Sequence, residues 1–280
     1  MGTCPYCRQS AGLLKSEHPA CKEKHDAGWI EMMKVALSAG AEEIDFRTAE
    51  QRMGDIAATS YHDPSSIRNA KVAAWELVLE KFLEVGLLSE DEESFLINYK
   101  NEFGLEPEEL NRNGAFTIGA MASLLRRVFS GEIPSTYVSQ TDHPFNLRAD
   151  ETLVWHERSC TYLEERTVRQ YVGASHGASV RVMKGVYYRF GAFKGHPVET
   201  SSLQSVDVGN LGITNRHIYF GGSKKSFRIP FNKVVQFVPY SDGFGLFRDA
   251  ANSRQQVFVA GHGWFYMNLV TNLAKMHQSR

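Results

Sequence analysis

Apolar residues recur every three or four positions between Gly28 and about Arg127, and alternate with polar ones over much of the chain after residue 151. The first spacing is that of a helix with one buried face, the second that of a half-buried strand. The chain is therefore expected to be α-helical in its first half and β-rich in its second. Asp63-Pro64-Ser65-Ser66 predicts a helix start, with Asp63 as cap and Pro64 in the first turn. Trp75, Val78, Leu79, Phe82 and Leu83 then form one stripe, with Glu76, Glu80, Lys81 and Glu84 off it. Ser89 and Glu92 form a capping box ahead of Phe95, Leu96 and Tyr99, and Gly104 is expected to end that helix. Pro107 opens a short helix with acidic residues in its first turn. Met121, Leu124, Leu125 and Val128 mark a last one between Gly119 and Phe129. Such a series predicts a small bundle.

Gly131, Pro134, Ser135, Ser139, Pro144 and Asn146 interrupt any period, and a linker is expected at 135–150. The runs TLVWHE, SVRVMKGVYYRFGAF, LGITNRHIYFGG, FRIPFNKVVQFVPY and QQVFVAG carry β-branched and aromatic residues with alternation. Asn215-Arg216 is a tight turn between two strands, and Pro230 marks an edge or a bulge. The closing WFYMNLVTNLAKM predicts a helix, with Trp264, Val270, Leu273 and Ala274 toward the sheet and Asn268 and Thr271 toward water. Six or seven antiparallel strands capped by one helix make a coherent β domain.

The 280 residues, 42% of them hydrophobic, suit a soluble protein of more than one domain. No apolar run approaches the roughly 20 residues that span a bilayer, and no secretory signal is evident, so a cytoplasmic location is expected. The formal net charge of -1 hides an asymmetry: residues 41–109 hold 17 acidic and 6 basic side chains, and residues 171–248 hold 10 basic and 3 acidic. Glu90 to Glu93 lacks the alternating ligands of a calcium loop and is expected to be a solvated helix start.

Three of the four cysteines fall within CPYCRQSAGLLKSEHPAC, residues 4 to 21. Cys4 and Cys7 can aim two thiolates at one ion, and His18 and Cys21 form a second pair at the same spacing, His18 at a helix entrance before Pro19. The pattern C-x2-C-x10-H-x2-C predicts a closed, structural zinc site that staples a segment with no core of its own. His25 is the rival fourth ligand, because Cys21 and His25 share a helix face, and free or redox-active thiols are the alternative to any metal. Cys160 is expected to be a small buried hydrophobe. The stretch resembles the short zinc ribbons and knuckles that open many bacterial multidomain proteins.

The run Leu211-Gly212-Ile213-Thr214-Asn215-Arg216-His217-Ile218-Tyr219-Phe220 resembles the strand–turn–strand signature of the pleckstrin-homology-like superfamily and its GRAM branch. Ser226 to Pro230 and the helix at 264 to 276 continue the order of that family. The resemblance implies a non-catalytic domain that binds phosphoinositides, peptides or proteins. Lys224, Lys225 and Arg228 follow Gly221-Gly222-Ser223, and amides of such a turn beside cations can hold a phosphate. The competing expectation for these residues is a hairpin tip with protective lysines at an edge. GASHG, residues 173–177, matches the G-x-S-x-G elbow of hydrolases, with Ser175 as nucleophile and Asp207 or Asp242 with His262 as partners. A strand is expected after it where an elbow needs a helix. Nucleic-acid binding through the knuckle and an aromatic β-surface is a further alternative, set against a pI of about 6.8 and no broad basic footprint.

The expectation is a multidomain α+β protein: zinc knuckle over 1–27, helical bundle over 28–134, linker over 135–150, and pleckstrin-like β domain over 151–280 with its C-terminal helix. Its expected work is non-enzymatic docking onto a protein or an anionic lipid surface, with zinc as structural cofactor. The alternatives are a hydrolase using Ser175 and a nucleic-acid-binding protein.

Overall fold

The computed structural model describes residues 2–12, 15–40, 44–84, 86–134, 143–171, 180–183, 186–188, 197–251 and 253–278. The chain divides into two compact units, Met1–Arg126 and Arg127–Arg280. Among the described residues no helix is long and apolar enough to cross a membrane.

The first unit opens with a two-stranded hairpin, β1 (Gly2–Thr3) and β2 (Ser10–Gly12), and passes into α1 (Pro19–Ser38). That helix runs straight through residues 27 and 28, so the knuckle and the helices share one element. Then come α2 (Phe46–Thr59), α3 (Pro64–Leu83), α4 (Glu90–Glu102), the single turn α5 (Pro107–Leu110) and α6 (Ala115–Phe129). The starts follow the local chemistry. The Asp63 carboxylate accepts from Ser66 N at 2.9 Å and two hydroxyls, which holds it at about 2. Ser89 and Glu92 form the reciprocal capping box, and Gly104 takes φ 59° just beyond α4.

Small residues let α1, α2 and α3 approach closely: Ala36, Ala49, Ala57, Ala70 and Ala74 are buried among Met32, Met53 and Trp75. Two buried aromatics fix the register with polar ends. Tyr99 Oη donates to Ala36 O at 3.1 Å and lies 3.3 Å from Lys71 O, and Trp75 Nε1 donates to Leu96 O at 3.1 Å.

The second unit is built on a seven-stranded antiparallel sheet. Its strands are β3 (Leu153–Tyr171), β6 (Pro197–Thr214), β7 (His217–Gly222), β8 (Ser226–Pro230), β9 (Val234–Tyr240), β10 (Gly243–Arg248) and β11 (Gln256–Val259). A separate hairpin pairs β4 (Val180–Met183) with β5 (Val186–Tyr188). In space the order is β8-β7-β6-β3-β11-β10-β9. The two edges, β8 and β9, are consecutive in the chain and joined only by a 3-10 turn, Phe231–Lys233. A flat seven-stranded sheet places its edges about 28 Å apart at the usual spacing of about 4.7 Å. Three residues span at most about 11 Å, so the sheet must curl until its edges approach.

The enclosed core is aromatic: Tyr162, Phe220, Phe244 and Phe258 are fully buried, with ring centroids 5.1 to 5.3 Å apart along the chain of contacts. Helix α7 (Gly263–Gln278) closes it with Phe265, Tyr266, Leu269, Val270 and Leu273. Trp264, expected on the inner face, is 43% exposed, and its neighbours Phe265 and Tyr266 are buried instead. Tyr266 Oη meets Trp155 Nε1 at 3.3 Å and Glu157 at 3.1 Å, so the inner face turns on a polar anchor that apolar periodicity does not display.

The segment after residue 142 also differs from a free linker. Phe145 lies over Gly212, where a Cβ would come within 2.5 Å of its ring, and packs beside Tyr219 and His156.

Candidate metal centre

Hairpin β1–β2 and the entrance of α1 bring Cys4, Cys7, His18 and Cys21 together, with one ligand atom of each within 4.8 Å of all the others. The turn closes through Cys4 N to Gln9 O at 2.8 Å and Arg8 N to Cys4 O at 3.0 Å, and Arg8 takes the left-handed φ of 61° that this turn requires. His18 precedes the helix with extended φ and ψ, and Pro19 occupies the first turn. Cys21 N bonds back to His18 O at 3.0 Å, which sets the two ligands on one side.

The histidine tautomer is fixed by geometry. Nε2 lies 3.1 Å from the Ser10 carbonyl and must donate to it, so Nδ1 presents its lone pair. Nδ1 is 3.3 Å from Cys7 Sγ and 3.8 Å from Cys21 Sγ. A tetrahedral zinc with bonds of about 2.3 Å separates its sulfurs by about 3.8 Å, and the donor set matches its softness. Burial opposes ionisation of Cys4, but the backbone N–H groups of Cys7, His18 and Tyr6 outweigh it and bring the thiol down to about 6. Burial and the neighbouring Cys7 push the Cys21 thiol up, while the Tyr61 hydroxyl opposes them. The four side chains could hold a metal ion, and three sulfurs with one nitrogen leave no open position on a four-coordinate ion.

His25 is not among the four. Its ring stacks on His62 at 3.8 Å and meets Tyr6 at 4.8 Å. Cys160 is buried in the other unit, and burial raises its thiol to about 12.

The turn that carries Lys224 and Lys225 is occupied from within. The Asp207 carboxylate accepts from Lys224 N at 2.6 Å, Lys225 N at 2.9 Å and Val208 N at 2.9 Å, with Ser223 Oγ at 3.3 Å. Burial opposes its ionisation, yet these donors hold it below the usual carboxylate range. The expected phosphate cradle is therefore filled by the chain's own anion. Lys225 Nζ pairs with Glu164 at 3.2 Å.

Ser175 lies outside the described residues. The residues after it, Val180–Met183, are a strand where a nucleophile elbow needs a helix. Asp207, one of the two acids offered for it beside Asp242, has its carboxylate on the turn amides of Lys224 and Lys225.

Sequence reasoning missed a buried carboxylate of the β unit. Glu151 accepts from His217 Nδ1, Tyr219 Oη, Arg148 N at 3.0 Å and Thr214 Oγ1 at 3.4 Å. Asn215 binds the next residue twice, its Oδ1 accepting from Thr152 N at 3.0 Å and its N donating to Thr152 O at 3.1 Å. Thr214, Asn215, His217 and Tyr219 all belong to the run that carries the family resemblance, so those residues clamp the chain entering β3. The only prior signal was an acid just before the first strand.

No family model matches the chain, and no curated protein does. Among solved structures, the DH/PH domains of PDZ-RhoGEF in complex with activated RhoA are 10% identical, over 94% of this chain and 71% of that one, with a TM-score of 0.25. The linker-DH/PH domains of p115-RhoGEF are 9% identical, over 94% and 73%, with a TM-score of 0.23. Likeness at that level is below what a shared fold requires.

Proposed function

We propose that the chain is a non-enzymatic adaptor: a structural zinc knuckle leads a helical unit, and a pleckstrin-like β domain docks onto a protein partner. Numbered from β3, the seven sheet strands stand in the order 4-3-2-1-7-6-5 and a helix follows the last, which supports the pleckstrin-like reading of the run at 211–220. The observation that carries protein docking is the edge strand β9. Its sequence VVQFVPY has no charge, it pairs among the described residues only with β10, and Val235 is 69% exposed. The outer edge of such a strand presents backbone donors and acceptors to an incoming strand. An anionic lipid is the weaker reading, because Asp207 already holds the turn amides beside Lys224 and Lys225.

The test compares proteins retained from a native lysate by the parent chain and by Val235→Lys, alongside sedimentation with anionic vesicles at two salt concentrations. Retention lost in the variant supports edge docking. Unchanged retention, or salt-sensitive vesicle binding with no protein retained, refutes it. Metal analysis of the purified chain should return about one zinc per chain.

A further inference from the structure

The turn between α2 and α3 grips the start of α1 at three successive residues. Ser60 lies under Gly28, where a Cβ would stand 2.2 Å from its Oγ. His62 Nε2 donates to His25 O at 2.9 Å. Between them, Tyr61 places its hydroxyl 4.0 Å from Cys21 Sγ, with Lys24 Nζ 5.6 Å from its ring centroid.

The backbone of Tyr61 makes this contact unusual. Helix α2 ends in a left-handed residue, with His62 N bonded to Ala57 O at 3.1 Å and Tyr61 at φ 62°. Glycine or asparagine normally fills that position, because a bulky side chain crowds the following carbonyl. Tyr61 is 40% exposed, so burial of its ring does not account for it. The charge of the site does. A divalent ion with three thiolates and a neutral imidazole carries one net negative charge, which hydrogen-bond donors must offset. Cys4 draws backbone donors from its own turn and from His18 N at 3.4 Å. Around Cys21 the amides of Cys21 and Lys22 are both bonded to His18 O, at 3.0 and 3.1 Å, so neither is spare for the Cys21 sulfur, and the donor that does approach it is a side chain.

We propose that Tyr61 is a positioning residue for the metal, donating its hydroxyl proton to the Cys21 thiolate and so seating the knuckle on the α2–α3 turn. This rests on the metal reading of Cys4, Cys7, His18 and Cys21.

The test loads the full chain with cobalt(II), whose thiolate charge-transfer band reports electron density on sulfur, and measures zinc affinity by competition with a chromophoric chelator. Tyr61→Phe keeps the ring and removes the donor. Tyr61→Gly also relieves the backbone. Both should bind zinc about tenfold more weakly or worse and shift the cobalt band to longer wavelength. The metal-free melting point should be unchanged for Tyr61→Phe and unchanged or higher for Tyr61→Gly, opposite to what a merely structural tyrosine gives. Parent-like affinity and band position in cobalt-loaded Tyr61→Phe would overturn the role of Tyr61 alone. A parent chain that takes up no cobalt would overturn the metal reading and this proposal with it.

Discussion

Replacing Glu151 by alanine should damage the β unit more than any other single change of an acidic residue there. Its side chain is fully buried and that of His217 is 6% exposed, so water does not stand ready to replace the lost contacts. Alanine leaves the His217 N–H and the Tyr219 O–H without their acceptor, each at about 1 to 3 kcal/mol, and frees Arg148 N. The expected loss is about 3 to 5 kcal/mol, or roughly 10 °C in melting point for a unit of this size. Glu151→Gln retains one carbonyl acceptor, and the Tyr219 hydroxyl can turn to accept, so about 1 kcal/mol is expected. Thermal unfolding of the full chain measures both, with hydrogen exchange over residues 211–220 assigning the loss to the β unit. A melting point for Glu151→Ala within 2 °C or so of the parent would refute the reasoning. The pH dependence follows with a definite sign. Burial outweighs the pull of Glu151 and lowers His217 below 6.5, and the donors around Glu151 outweigh burial and lower it below 4.5. Both groups then contribute stability that is present at neutral pH and lost on acidification, His217 first as the pH drops below 6.5 and Glu151 later, below 4.5. A β unit equally stable at pH 7 and pH 4 would contradict this.

Removing the metal with a chelator should abolish hydrogen-exchange protection over residues 2–18 and leave α2 to α4 protected, because Cys4 and Ala11 are the only buried side chains described in that segment; full protection in chain shown to be metal-free would sink this. Arg8→Gly should stabilise the knuckle by about 1 kcal/mol, since φ 61° strains any residue with a Cβ, and a lower melting point would count against the turn geometry. Phe265→Ala should cost about 3 to 5 kcal/mol and Trp264→Ala less than about 1, by denaturant melts; the reverse order would return α7 to the orientation its periodicity suggested.

The Cys/His cluster was legible because its information is local: two residues between the members of each pair and a proline at the helix entrance suffice to predict the gathering of Cys4, Cys7, His18 and Cys21. Helix starts at Asp63 and Ser89 were legible for the same reason. The placement of the rival His25 was not legible, because its ring stacks on His62, 37 residues away. The filling of the Lys224 turn was hidden likewise: Asp207 sits one strand earlier, and only the β6–β7 pairing carries its carboxylate to the amides. Phe145 falls among prolines and polar residues that look like linker, and packs half-buried on the sheet because Gly212 leaves room for its ring. The sheet could be recognised as a set of strands, but its curl follows from which strands form the edges, a fact of long-range pairing.

That curl bears directly on where a partner could add. The two edges are nearly adjacent in sequence, separated by Phe231–Lys233, and the fully buried Phe231 pins their junction to the core. They are nonetheless chemically unlike. Strand β8, SFRIP, carries Arg228 and ends in a proline that cannot donate, both features that discourage strand addition. Strand β9 carries neither charge nor an early proline, and its Pro239 lies near the far end, leaving Val234 to Val238 with every amide. If the edges had been equivalent, docking would have no preferred side and the chain would risk polymerising edge to edge. With β8 blunted, β9 is the better suited of the two edges of the seven-stranded sheet for strand addition, which gives the proposed docking a preferred side.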